Sequence, residues 1–142
     1  MSLFFRSFYR LLGMALVVPF FLGISHGQRA TGSGNDVVVT EKDNNSSIEL
    51  KKGGVLLVQL EHNPGTGYSW QVARNNKKLL KLAGQTSVPV AAEKVTMGGS
   101  EVETFRFQAV KSGTDIIELQ CKRAWEKKKE PLKNFLITVK IK

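Results

Sequence analysis

The sequence predicts an all-β domain, an immunoglobulin-like β-sandwich of about seven strands. Three observations predict it. Apolar residues recur with a period of two, the runs are rich in β-branched and aromatic residues, and turn signals break them at short intervals. The chain has 142 residues, 42% of them apolar, which fits one domain with a modest core.

Residues 1–27 read as a signal peptide rather than as part of the fold. Arg6 and Arg10 give a positive start, no acid precedes Asp36, and residues 11–24 form an uninterrupted apolar run. That run is shorter than the roughly 20 residues a membrane-spanning helix needs, and Pro19 disturbs it further. Ser25 and Gly27 set small residues where a signal peptidase reads, so cleavage is expected after Gly27. Such a leader implies a secretory route, with the product secreted, vesicular or lysosomal, or periplasmic, and no membrane attachment after cleavage.

The remaining elements follow in order. Residues 28–35 (QRATGSGN) are polar and glycine-rich and read as a flexible tail ahead of a domain at 36–142. Residues 36–40 (DVVVT) are short and β-prone, and 55–60 follow the Gly53-Gly54 pair as a strand. Residues 68–72 form another, with Trp70 bulky enough to anchor a core. Only 75–82 (NNKKLLKL) hints at a helical turn. Residues 101–110 alternate, placing Phe105, Phe107 and Ala109 on one face and Thr104, Arg106 and Gln108 on the other. A turn is expected at 111–114, then a strand with Ile117, Leu119 and Cys121 inward. The last strand, 135–141, puts Phe135, Ile137, Val139 and Ile141 on one face.

Composition excludes several chemistries. One Cys and two His cannot build a closed zinc site without carboxylates, and one cysteine cannot make an internal disulfide. No phosphate-cradling glycine motif is present, and no cofactor is expected. An enzyme would need Cys121 as nucleophile and His62 as base, but Cys121 falls on an apolar face, where a thiol is an inert core residue. The formal charge is +9. Its most concentrated run, 127–129 (KKK), is bracketed by Glu126 and Glu130 and has little aromatic interleaving, which argues against nucleic acid. Those lysines fit approach to an acidic protein surface better.

Three loops carry unusual chemistry. The first is Asn63, Pro64, Gly65, Thr66, Gly67 and Tyr68: proline stiffens it, Gly65 and Gly67 permit positive φ, and Thr66 exposes a hydroxyl. The second is Thr96, Met97, Gly98 and Gly99, where glycines allow close backbone approach and Met97 offers an adaptable apolar contact. The third is Arg123, Ala124 and Trp125, which combines a planar charge with a large apolar surface.

Together the segments NPGTGY (63–68), TMGG (96–99) and RAW (123–125) resemble the chagasin-type inhibitors of papain-family cysteine peptidases. That family carries an N-P-T-T-G-[FY] loop, a G-x-G-G loop and an R-P-W loop in the same order on an immunoglobulin-like fold. The likeness runs from about Val37 onward and includes Ser69-Trp70, the FRFQAVKSGT run at 105–114 and the C-terminal strand. It implies a monomeric, reversible, non-covalent inhibitor of papain-family, cathepsin-like peptidases, with the three loops forming a wedge. Thr66 would enter the catalytic centre, Met97, Gly98 and Gly99 would lie along one side of the cleft, and Arg123 and Trp125 would take the other. Gly65, Thr96 and Ala124 depart from the family pattern: Gly65 removes a side chain and loosens the first loop, Thr96 in place of a glycine restricts the second loop's backbone, and Ala124 in place of proline loses a φ lock. The alternative is a secreted adhesion or carbohydrate-binding sandwich, in which the three loops need not meet.

Overall fold

The computed structural model describes residues 35–90 and 99–142. The expected leader at 1–27, all but Asn35 of the tail expected at 28–35, and Thr96, Met97 and Gly98 lie outside these residues. Among the described residues there are eight strands. In chain order they are β1 (Val37–Thr40), β2 (Ser46–Leu50), β3 (Val55–His62), β4 (Ser69–Arg74), β5 (Leu80–Pro89), β6 (Glu101–Ala109), β7 (Gly113–Lys122) and β8 (Lys133–Ile141). One sheet has the order β1-β3-β6-β5 and the other β2-β8-β7-β4. Two edge pairs, β1 with β3 and β2 with β8, are parallel, and the rest are antiparallel.

The sandwich forms because alternate residues of the central strands are apolar and find one another across the sheets. Leu56, Val58 and Leu60 of β3 and Phe105, Phe107 and Ala109 of β6 face Ile117, Leu119 and Cys121 of β7 and Phe135, Ile137 and Val139 of β8 in one buried cluster. Trp70 joins it, 2% exposed, with its indole N–H donated to the Glu61 carbonyl at 3.1 Å. The inward faces expected on β6, β7 and β8 are therefore the observed ones.

The described residues hold eight strands against the expected count of about seven, and two of them, β2 and β5, were not among those picked out above. β2 and β5 are both edge strands, and most of β5 is exposed on both faces. Backbone hydrogen bonds rather than a buried face define β5, so it carries little period-two signal, whereas β2 does alternate, with Ile48 and Leu50 inward, but over only five residues. The helical turn expected at 75–82 is a single turn, in which the Asn76 carbonyl accepts from the Leu79 and Leu80 N–H groups. From Leu80 the chain is already β5. Buried Asp115 pins this turn by accepting the Asn76 N–H at 2.8 Å. The turn before β7 is shorter than expected, because Gly113 and Thr114 already pair with β8.

Register positions the loops. His62 at the end of β3 pairs with Glu101 at the start of β6, and Pro89 at the end of β5 pairs with that same residue. Ser69 at the start of β4 pairs with Lys122 at the end of β7. The connections 63–68, 90–100 and 123–132 therefore leave the sandwich at one end.

Trp70→Ala should destabilise the domain by about 3–5 kcal/mol, since it empties a filled core site. Chemical denaturation followed by far-UV circular dichroism measures this.

Candidate functional site

The first loop is held by its own backbone and by its asparagine. Asn63 caps a 3₁₀ turn, Pro64–Thr66, by accepting the Gly65 N–H on its side-chain oxygen at 3.0 Å. Pro64 stands at the first position, where its missing N–H costs nothing. The turn closes with the Gly67 N–H on the Pro64 carbonyl at 2.9 Å. Gly67 ends it in the left-handed region at φ 76°, and of the two loop glycines it alone has positive φ. The positive φ expected as open to Gly65 is not used, because a 3₁₀ turn is right-handed. Thr66 is exposed, but its hydroxyl is not free: it donates to the Asn63 carbonyl at 2.6 Å. The hydroxyl oxygen keeps its acceptor capacity toward a partner.

The third loop is packed onto the first. Arg123 donates Nε–H to the Thr66 carbonyl at 3.0 Å, and its guanidinium lies 4.6 Å from the centre of the Tyr68 ring and 5.9 Å from that of Trp125. The Trp125 ring lies over Gly67 so closely that a Cβ there would clash with it. Trp125 is nonetheless 68% exposed, so its outer face is open to a partner. Ala124 does not leave this segment loose. The Glu126 N–H closes a turn on the Arg123 carbonyl at 3.1 Å, and an Arg123–Glu126 ion pair at 3.4 Å spans the same four residues. Backbone and charge supply the restraint that a proline would give.

Of the second loop, Gly99 is described and exposed, while Met97 and Gly98 lie outside the described residues. Its base is fastened by the Val90 N–H on the Ser100 carbonyl at 2.9 Å. Ser100 shares with Asn63, Thr66 and Tyr68 the lining of one hollow of about 420 Å³. The roots of all three loops thus meet at one end, which an adhesion module does not require.

Two residues at the root of this site were not among the expected ones. His62 continues the inward phase of Leu56, Val58 and Leu60, and Glu103 continues that of Phe105, Phe107 and Ala109. Glu103 is buried and accepts hydrogen bonds from the Trp70 backbone N–H at 2.9 Å and from the Gln85 side chain. Polar residues in a core phase next to a loop were the available signal. His62 and Cys121 do not form a catalytic pair. His62 Nδ1 is engaged with the Tyr68 carbonyl at 3.0 Å, and burial pushes the Cys121 thiol above its ordinary pKa. A thiol so protonated at neutral pH is a poor nucleophile. Among the described residues no cluster of His, Cys, Asp and Glu could hold a metal ion.

With that geometry established, three comparisons bear on it. The pattern described as chagasin family peptidase inhibitor matches residues 49–139. Amoebiasin-2 of Entamoeba histolytica is 28% identical over 105 residues, covering 74% of this chain and 85% of that protein. The crystal structure of the cysteine protease inhibitor EhICP2 from the same organism is similar with a TM-score of 0.70 at 27% identity, over 75% of this chain and 96% of that one. The solution structure of Amebosin gives 0.58 at 25% identity, over 74% and 96%.

Gly67→Ala should force the Trp125 ring away and strain the turn, costing about 1–3 kcal/mol for a non-glycine residue held at positive φ. Thermal melting and a changed Trp125 emission spectrum report the two effects.

Proposed function

This chain belongs to the chagasin family of peptidase inhibitors, and from that premise we propose how it stops a papain-family cysteine peptidase: by plugging the substrate cleft reversibly with the 63–68 loop, flanked by the other two. The observation that carries this is the union of the first and third loops through Arg123 on the Thr66 carbonyl and Trp125 on Gly67. They form one preorganised surface rather than two independent loops. The family relationship and the likeness to an inhibitor named for cysteine proteases supply the class of target.

The mechanism is occlusion without chemistry. A cysteine peptidase cleaves when a carbonyl lies in line with its thiolate and with its oxyanion donors. The Pro64–Thr66 turn is folded back on itself by the Asn63 side chain and by the Gly67 N–H, so it does not offer an extended scissile bond. Thr66 stands nearest the catalytic cysteine and histidine, with Asn63, Pro64, Gly65, Gly67 and Tyr68 shaping the wedge. Met97, Gly98 and Gly99 lie along one wall of the cleft, and Trp125 rests on aromatic surface along the other. Arg123 contributes chiefly from inside, because its guanidinium is committed to Thr66, Tyr68 and Glu126. A loop already ordered in the free inhibitor loses little entropy on binding, which slows dissociation. The leader-like composition of residues 1–27 supports a secretory location for this encounter.

Titrating the purified protein into papain and following residual hydrolysis tests the proposal: stoichiometric, dilution-reversible loss of activity is expected, and undiminished activity refutes it. Trp125→Ala should weaken inhibition by about 2 kcal/mol, roughly thirtyfold, as for a central aromatic anchor, while the melting temperature stays close to that of the parent.

Lys127, Lys128 and Lys129 are exposed beside Trp125, and among the described residues only Lys129 has an ion-pair partner, Glu126 at 3.4 Å. They should speed approach to a peptidase with an acidic rim. Rising ionic strength is then expected to lower the association rate and leave the dissociation rate nearly constant in stopped-flow inhibition assays.

A further inference from the structure

The inhibitory loop joins two different sheets, since β3 before it and β4 after it belong to opposite layers. Its two ends must therefore be held together by something other than a strand ladder. Across this mouth His62, the last residue of β3, lies with Nδ1 3.0 Å from the carbonyl oxygen of Tyr68, the residue before β4. The His62 side chain is only 6% exposed.

A carbonyl oxygen can only accept, so Nδ1 must carry the proton. In the opposite tautomer two lone pairs would face each other at hydrogen-bond distance. The other ring nitrogen makes no bond of comparable length. Nε2 is buried, has no hydrogen-bond partner among the described residues, and lies 3.7 Å from Glu103 Oε2. Among the described residues the ring's one short polar contact is thus the one that closes the loop. No charge or bulk at this position is needed to make the neighbouring 3₁₀ turn, which Asn63 and Gly67 build by themselves.

We propose that His62 is the positioning residue of the inhibitory loop, its Nδ1–H bond to the Tyr68 carbonyl fixing the width of the loop's mouth and so keeping the 63–68 segment from relaxing into a cleavable shape. It touches no part of the peptidase and acts through the loop. The proposal rests on the inhibitory reading above.

Side-chain isosteres separate this role from simple packing. An asparagine amide nitrogen can take the place of Nδ1, whereas a glutamine amide nitrogen takes that of Nε2. With papain as probe, His62→Ala and His62→Gln should raise Ki about tenfold, the upper worth of one hydrogen bond, through faster dissociation. His62→Asn should stay within about threefold of the parent, since it keeps that bond. On prolonged incubation mass spectrometry should find the alanine and glutamine variants cut within 63–68, and the parent and asparagine variants whole. Melting curves show whether the variants are equally folded. Unchanged inhibition by His62→Ala overturns the proposal, as does an asparagine variant that melts like the parent but inhibits no better than alanine. Should the variants not fold, nitrogen-edited NMR of the parent decides: a proton on Nδ1 is expected, and a bare Nδ1 overturns the positioning role. Failure of the parent to inhibit papain overturns the inhibitory reading instead, and the NMR result stands apart from it.

Discussion

The hydrogen bond between the buried carboxylate of Glu103 and the backbone N–H of Trp70 ties one sheet to the other directly beneath the functional loops. In a sandwich the layers are otherwise held by apolar packing, which resists separation but resists sliding poorly. A directed polar bond through a low-dielectric interior fixes relative position as well as distance. Around it the Trp70 indole reaches the Glu61 carbonyl, and the Gln85 side chain reaches Glu103. The end of the sandwich that carries the loops is thus a polar joint set into an apolar core, and everything beyond Leu60 and Ser69 inherits its placement from that joint.

The opposite end holds a second buried acid, which fastens a loop rather than the other sheet. Asp115 continues the inward phase of Ile117, Leu119 and Cys121 and accepts the N–H groups of Asn76 and Ile116. Both acids stand where the alternation along a strand calls for an apolar residue, and both are matched to backbone donors. A buried carboxylate is tolerated on those terms because its desolvation is offset by hydrogen bonds it cannot exchange with water. The core is therefore bounded at each end by a satisfied acid.

How much of this the sequence reveals depends on which force makes each part. Strands built by burial, such as β6 with Phe105 and Phe107, announce themselves through alternation. β5 is an edge strand whose side chains stay largely exposed, and hydrogen bonds made by any residue define it, so its sequence is nearly silent. The proline, glycines and tryptophan of the site were legible because their backbone and surface chemistry is rare in that combination. Which atoms join was not. The inward commitment of Arg123 and the use of the Thr66 hydroxyl on Asn63 depend on distances between residues far apart in the chain or hidden in one turn. His62 and Glu103 were readable in principle, as polar residues in a core phase, but phase alone does not reveal that they meet.

Arg123 has a consequence for how such an inhibitor diversifies. One guanidinium serves Thr66, Tyr68, Trp125 and Glu126 together. A lineage adapting to a new protease cannot retune the first loop as a free module, because an altered ring at 68 or 125 disturbs the support of its neighbour. Adaptive changes at these positions would travel in groups and show strong epistasis, while the lysine-bearing segment beside them, joined to the cluster through Glu126, can be retuned separately.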